Sequence, residues 1–127
     1  MRLLIDSNRY RDLCAGAPEV LRLIQRAQEI RLPVVVLGEL RAGFACGTRG
    51  RENERVLLRF LNSPRVQVLY ADDTTTQHYA NLLRQLRTQG TPIPSNDLWV
   101  AALAVQHGLT LLSRDEHFAH LPQLQIV

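Results

Sequence analysis

The sequence predicts an α/β fold, with a mostly parallel sheet of four to five strands flanked by helices as an α/β/α sandwich. Three observations predict it. Short apolar runs alternate along the chain with stretches of helical periodicity. The run Val34-Val35-Val36-Leu37 is apolar at every position, as a strand covered on both faces would be. No repeat or low-complexity tract interrupts the alternation. The 127 residues are expected to form a single domain, 1–127. At that size a chain buries roughly two-thirds of its extended surface, enough for a real core.

Each element has its own signal. Arg2-Leu3-Leu4-Ile5 reads as a buried first strand stopping at Asp6. Pro18 sits at a helix start, and Val20, Leu21, Leu23, Ile24 and Ala27 follow at helical spacing, predicting a helix over about 18–30. Pro33 to Leu37 reads as the second strand, and Gly38-Glu39-Leu40 opens a short helix directly after it. Gly47 to Arg51 is a polar loop punctuated by glycine. Helical spacing resumes over about 52–61, and Val66 to Tyr70 reads as the third strand. Asp72 or Asp73 caps a long helix to about Gln89, ended by Gly90 and Pro92. Ser95-Asn96-Asp97 opens a helix apolar nearly all round and therefore buried, and Gly108 closes it. Leu109 to Leu112 is the fourth strand, and Leu124 to Val127 a candidate last one.

Composition excludes several chemistries. All 15 basic residues are arginine. Without lysine there is no Walker-type phosphate loop and no Schiff base. Cys14 and Cys46 lack C-x-x-C spacing and read as reduced packing cysteines in a cytoplasmic protein. The opening residues reach an acid at Asp6, so no signal-peptide core is expected. The longest apolar run, Leu98 to Val105, is far short of the about 20 residues that span a bilayer, so no membrane association is expected.

Four acids carry the functional reading. Open parallel sheets bind ligands at the carboxyl ends of their strands. Asp6 ends the first predicted strand, Glu39 lies two residues past the second, and Asp115 three past the fourth. Asp97 opens the helix leading into that fourth strand. Each acid alone also fits a turn or helix-start role. Together they converge on one rim. Clustered carboxylates repel one another, and a hard divalent cation such as Mg²⁺ or Mn²⁺ resolves that repulsion. Such a cation activates water and stabilises in-line phosphoryl displacement. Ser7, Asn8, Asn96 and Ser113 lie beside the acids and are candidates to orient them.

The segments Leu-Ile-Asp6-Ser-Asn8, Gly38-Glu39-Leu40-Arg-Ala-Gly43, Ile93-Pro-Ser-Asn96-Asp97-Leu-Trp-Val-Ala-Ala102 and Leu-Leu-Ser113-Arg-Asp115-Glu-His117-Phe118 together resemble PIN-domain proteins. Within that family the chain is similar to the VapC-type toxins of bacterial toxin–antitoxin pairs, over essentially its whole length. The resemblance implies an endoribonuclease that cuts RNA with Mg²⁺ or Mn²⁺. It implies metal ligation and catalysis by Asp6, Glu39, Asp97 and Asp115, with Ser113 as the small hydroxyl beside the last acid. It also implies a homodimer, and inhibition by a cognate VapB-like antitoxin whose tail occupies the catalytic groove, within a larger toxin–antitoxin assembly. Arg9-Tyr10 stands where the family more often has small aliphatics, so the groove beside Asp6 is expected to differ in shape.

Two other readings stay open at this level. One is a catalytically silent PIN-fold binding module in a toxin–antitoxin repressor complex. The other is a small phosphohydrolase with Asp6 as nucleophile, against which stand Asn8 in place of a second Asp and the missing lysine. Arg9, Arg41, Arg49, Arg51 and Arg114 are candidates for phosphate contact, or else solvated surface. His117-x-x-His120 lacks partners for a zinc site, and His117 reads as packing or capping beside Phe118. Tyr79 and Trp99 read as core or dimer packing. Setting the four rim acids aside leaves eight of the 12 acids against 15 arginines, so the rest of the molecule carries +7 rather than +3. That suits a polyanionic partner.

Overall fold

Leu3, Leu4 and Ile5 are all fully buried. Successive strand side chains point to opposite faces, so both faces of this strand need cover. The computed structural model describes residues 1–127 and supplies that cover from six α-helices around a four-stranded sheet. β1 (Arg2–Ile5) leads into α1 (Ser7–Cys14) and α2 (Pro18–Arg26), then β2 (Glu29–Pro33), α3 (Val34–Cys46) and α4 (Gly50–Leu61). β3 (Val66–Leu69), α5 (Asp73–Gln89), α6 (Ser95–His107) and β4 (Thr110–Leu112) follow, and a 3₁₀ turn (Glu116–His120) precedes the last residues. No helix is long and apolar enough to cross a membrane.

All strand pairings are parallel, in the order β3-β2-β1-β4. Leu3 lies opposite Ile30 on one side and Thr110 on the other. The chain builds outward through β2 and β3, then crosses back to lay β4 against the free side of β1. That reversal puts the topological switch point at the carboxyl ends of β1 and β4, where a crevice opens in such sheets. The expected last strand is present as a short addition. Ile126 bridges Leu111 in parallel, and the Val127 N–H donates to the Leu111 carbonyl at 2.9 Å.

Two boundaries differ from the sequence reading. The second strand is not Pro33–Leu37 but Glu29–Pro33, and Val34-Val35-Val36-Leu37 forms the first turn of α3. The β-propensity of valine is weak beside burial. In a helix, Val36, Leu37 and Leu40 fall on one buried face, while Ile30 and Leu32 alternate inward along the true strand. For the same reason the helix expected over 18–30 stops at Arg26, because Ile30 belongs to the sheet. One helix has no counterpart in the reading: α1 starts directly after Asp6.

Other elements follow their signals. Asp72 and Thr75 form a reciprocal capping box at the start of α5, each side chain accepting from the other's backbone N–H. Gly90 (φ 72°) and Gly108 (φ 62°) close α5 and α6 in the left-handed conformation that glycine adopts without strain. Tyr79 and Trp99 pack ring on ring at 4.3 Å across the α5–α6 seam, as core packing predicts. The cysteines do not pack. Cys14 and Cys46 are free thiols, as expected, but both end helices and are exposed.

Candidate metal centre

The centre is assembled at the switch point, one acid at a time. Asp6 follows β1 and caps α1, its Oδ1 accepting the Ser7 N–H at 2.9 Å. Its own N–H donates to the Leu112 carbonyl at 3.0 Å, tying it to the end of β4. Its Oδ2 accepts the Ser113 hydroxyl at 2.7 Å and the Asn8 amide at 3.4 Å. Asp6 is only 4% exposed, as is Ser113. A carboxylate this buried needs such donors to satisfy its oxygens.

Asp97 is the third residue of α6, where the helix dipole favours an acid. Asp115 caps the 3₁₀ turn by accepting the His117 N–H at 3.0 Å, and its own N–H donates to Ser113 Oγ at 3.1 Å. Glu39 arrives from α3, in its second turn rather than at a strand end. Its reach comes from the helix, a physical route different from the one the sequence suggested.

The acids feel one another. Burial pushes the Glu39 carboxyl above its ordinary range, and the charges of Asp6 and Asp97 push it further. Arg11 and the Asn96 amide act in the opposite direction. Burial also raises Asp97, with Asp115 and Asp6 adding repulsion and the hydrogen bond from His117 opposing it. Four acids, from the β1–α1 junction, α3, α6 and the loop after β4, therefore share one field.

His117 was not foreseen in this role. Its Nδ1 lies 2.8 Å from Asp97 and 3.1 Å from Asp115. The hydrogen bond to Asp97, then the charges of both acids, raise its pKa and favour the imidazolium. Phe118 beside it is fully buried and anchors the turn. The sequence did hold a signal: an acid capping a turn at Asp115 brings the residue two further on back over it. Donor atoms of Asp97, Asp115 and His117 all lie within 4.8 Å of one another. The group takes in His117 but not His120.

The neighbouring polar residues divide sharply. Ser113 and Asn8 hold Asp6, and Asn8 Oδ1 also accepts the Arg114 N–H at 3.3 Å. Ser7 contributes its backbone N–H, not its hydroxyl. Asn96 is exposed in the first turn of α6. Three arginines considered for phosphate contact are occupied within the chain. Arg41 forks onto Glu54 at 3.0 and 2.8 Å, clamping α3 to α4. Arg114 reaches Asp12 at 3.0 Å, where Arg9 also donates at 3.1 Å. Those guanidiniums, Arg114 first, hold the Asp12 carboxyl below its ordinary range.

The donor set is oxygen-rich and anionic. Asp97 and Asp115, with His117 against them, are close enough to share an ion, and the charge of a hard divalent cation would relieve the repulsion that lifts Glu39 and Asp97.

Comparison with known proteins agrees with this geometry. The PIN domain family profile matches residues 6–124. The chain is 33% identical to Ribonuclease VapC4 of Mycobacterium tuberculosis over 94 residues, covering 74% of this chain and 72% of the relative. Among solved structures it superposes on VapBC-1 from nontypeable Haemophilus influenzae with a TM-score of 0.85 and 26% identity, over 100% of this chain and 97% of the other. It matches VapBC-5 of Mycobacterium tuberculosis, a member of the VapBC family of toxin-antitoxin systems, with a TM-score of 0.77 and 26% identity over 100% and 98% of the two chains. With a profile spanning nearly the whole chain and four acids gathered at the switch point of its sheet, the chain belongs to the PIN domain family and groups there with the VapC ribonucleases.

Proposed function

We propose that this chain is a metal-dependent endoribonuclease that serves as the toxin of a toxin–antitoxin pair. The observation that carries the reading is the meeting of Asp6, Asp97 and Asp115 at the carboxyl ends of β1 and β4, through Ser113, which bonds both Asp6 and Asp115, and His117, which bridges Asp97 and Asp115, with Glu39 feeling the charges of Asp6 and Asp97. A fold needs no such cluster for stability. Gathering like charges raises the free energy of the native state unless a cation or a proton answers them.

In this reading Asp6, Glu39, Asp97 and Asp115 hold Mg²⁺ or Mn²⁺ and are the catalytic residues. The bound cation supplies positive charge against the phosphate oxygens and makes nearby water more acidic. The chain's own residues do the positioning. Ser113 and the Ser7 N–H fix both oxygens of Asp6, so that carboxylate cannot rotate. Asn8 braces Asp6 and Ser113 from one side and the Arg114 backbone from the other. His117 holds Asp97 and Asp115 together with a proton at Nδ1.

A VapB-like antitoxin is the expected partner, since the similar solved structures are VapBC complexes. A homodimer within a larger toxin–antitoxin assembly, acting in the cytoplasm, completes the reading, and the chain acts as one domain. The test is direct. Asp6→Ala or Asp97→Ala should abolish RNA cleavage in the presence of Mn²⁺ while leaving the circular dichroism spectrum unchanged. Cleavage retained by either folded variant would sink the proposal.

A further inference from the structure

On α4, Arg51, Arg55 and Arg59 recur every fourth residue and so lie along one side of the helix. All three are exposed, and none forms an ion pair. This arrangement is unfavourable in isolation. Like charges at this spacing repel each other. Arg51 also sits in the first turn, and Arg49 at the cap, where the helix dipole disfavours cations. Of the two acids in the same helix, Glu54 is spent on Arg41, and Glu52, three residues before Arg55, forms no ion pair with the row. An anion along this side would relieve both costs.

Two further arginines flank the start of the row. Arg49 and Arg11 line one groove of about 460 Å³ between α1, α3 and α4. Arg11 is the cation whose charge reaches Glu39. Arg51 and Arg55 line a second hollow on the same helix, beginning at Gly50, the residue after Arg49. The positions are held firmly. Gly50 lies so close to α3 that a Cβ there would meet the Phe44 carbonyl oxygen at 2.9 Å, and the Arg41–Glu54 fork locks the two helices together. Each step along the row rises about 6 Å, four residues at the α-helical pitch, a spacing suited to successive backbone phosphates of an extended strand.

We infer that Arg11, Arg49, Arg51, Arg55 and Arg59 form a phosphate track that carries single-stranded RNA away from the acid cluster along α4. The inference rests on the ribonuclease reading for its substrate class, but not for its test. Backbone tracking of this kind reads charge rather than sequence. The track would raise affinity for long strands and leave the chemical step alone.

The experiment compares the wild-type protein with the triple variant Arg51→Gln, Arg55→Gln, Arg59→Gln. These side chains are exposed and unpaired, so the fold should survive, which the melting temperature checks. Binding of a fluorescently labelled, mixed-sequence RNA strand is followed by anisotropy across a salt series, in EDTA so that nothing is cut. The triple variant should bind more weakly, and its log-affinity against log-salt slope should be shallower by about two, the loss expected for three phosphate contacts on a single strand. With Mn²⁺ added, KM for a long strand should rise while kcat stays within about twofold of wild type. Unchanged affinity and slope would overturn the track. So would unchanged RNA binding accompanied by loss of binding to a poly-glutamate peptide, which would assign the row to an acidic protein partner. If the wild-type protein binds RNA through the row but cuts none, the ribonuclease reading fails and the track stands.

Discussion

The hydroxyl of Ser113 donates to Asp6 Oδ2 at 2.7 Å, joining two buried side chains that are 107 residues apart in sequence. This bond closes the centre across the switch point. β1 delivers the acid and β4 delivers the donor that aims it. Ser113 Oγ also accepts the Asp115 N–H, so one hydroxyl sets the geometry of two acids.

Ser113→Ala should therefore cost more than one ordinary hydrogen bond. Hydrogen bonds to charged groups contribute about 1.5–3 kcal/mol, and the loss leaves a buried carboxylate with fewer donors. We expect that range of destabilisation in urea unfolding. Affinity for Mn²⁺ should fall by about 10–100-fold, the usual effect of removing a group that orients a ligand. A variant with wild-type stability and Mn²⁺ affinity would show that Asp6 needs no such support.

Glu39→Gln should stabilise the metal-free protein at neutral pH. The carboxyl is partly buried and faces the charges of Asp6 and Asp97. A neutral amide removes that repulsion while keeping the shape. Urea midpoints measured in EDTA should rise in the variant, and added Mn²⁺ should stabilise the wild type more than the variant. A lower midpoint for the variant in EDTA would contradict the account of Glu39 as a carboxylate held against repulsion.

Asp72 gives a pH dependence away from the centre. The Gln106 amide, then the Thr75 N–H, hold its carboxyl below the ordinary value of 3.8. As pH falls, the unfolded chain takes up this proton first. The stabilisation is thus fully present above 3.8 and is lost as pH falls through the depressed native value. Asp72→Asn still caps α5 but carries no proton, so its acid unfolding curve should be flatter than wild type in that window. Identical curves would remove Asp72 from the acid response.

Two glycines in the α3–α4 hairpin should respond with opposite sign to the same substitution. Gly50→Ala would place a methyl 2.9 Å from a backbone oxygen and should cost about 1–3 kcal/mol. Gly43 lies inside α3, where an added methyl would meet nothing within 4 Å, so Gly43→Ala should stabilise by about 0.5–1 kcal/mol. Urea unfolding of the pair checks both signs.

The four acids and the α/β class were legible because their signals are local: an acid at the end of an apolar run, an acid at a helix start. The second strand was misplaced because Val34-Val35-Val36-Leu37 carries β-propensity that its tertiary setting overrides. Glu39 still feels the charges of Asp6 and Asp97, because α3 carries it to them from its second turn. α1 was missed because its first turn, Ser-Asn-Arg-Tyr, has no apolar periodicity, and what starts it is the Asp6 cap. The pairings of Arg41 with Glu54 and of Arg114 with Asp12 were out of reach for a common reason. A side chain's partner is fixed by which helices pack together, and one-dimensional spacing does not contain that. The lysine-free composition acquires a more specific meaning as a result: Arg41, Arg9 and Arg114 are internal partners, while Arg51, Arg55 and Arg59 stand free.

If four acids from four segments form one cation site that cuts RNA, cleavage should depend on both the metal and each acid. The most direct measurement is the rate of cleavage of single-stranded RNA against Mn²⁺ concentration for wild type and Asp97→Asn. Wild type should show a saturable, EDTA-sensitive rate, and Asp97→Asn should show no cleavage at any Mn²⁺ concentration. Cleavage by folded Asp97→Asn with the wild-type Mn²⁺ dependence would contradict it.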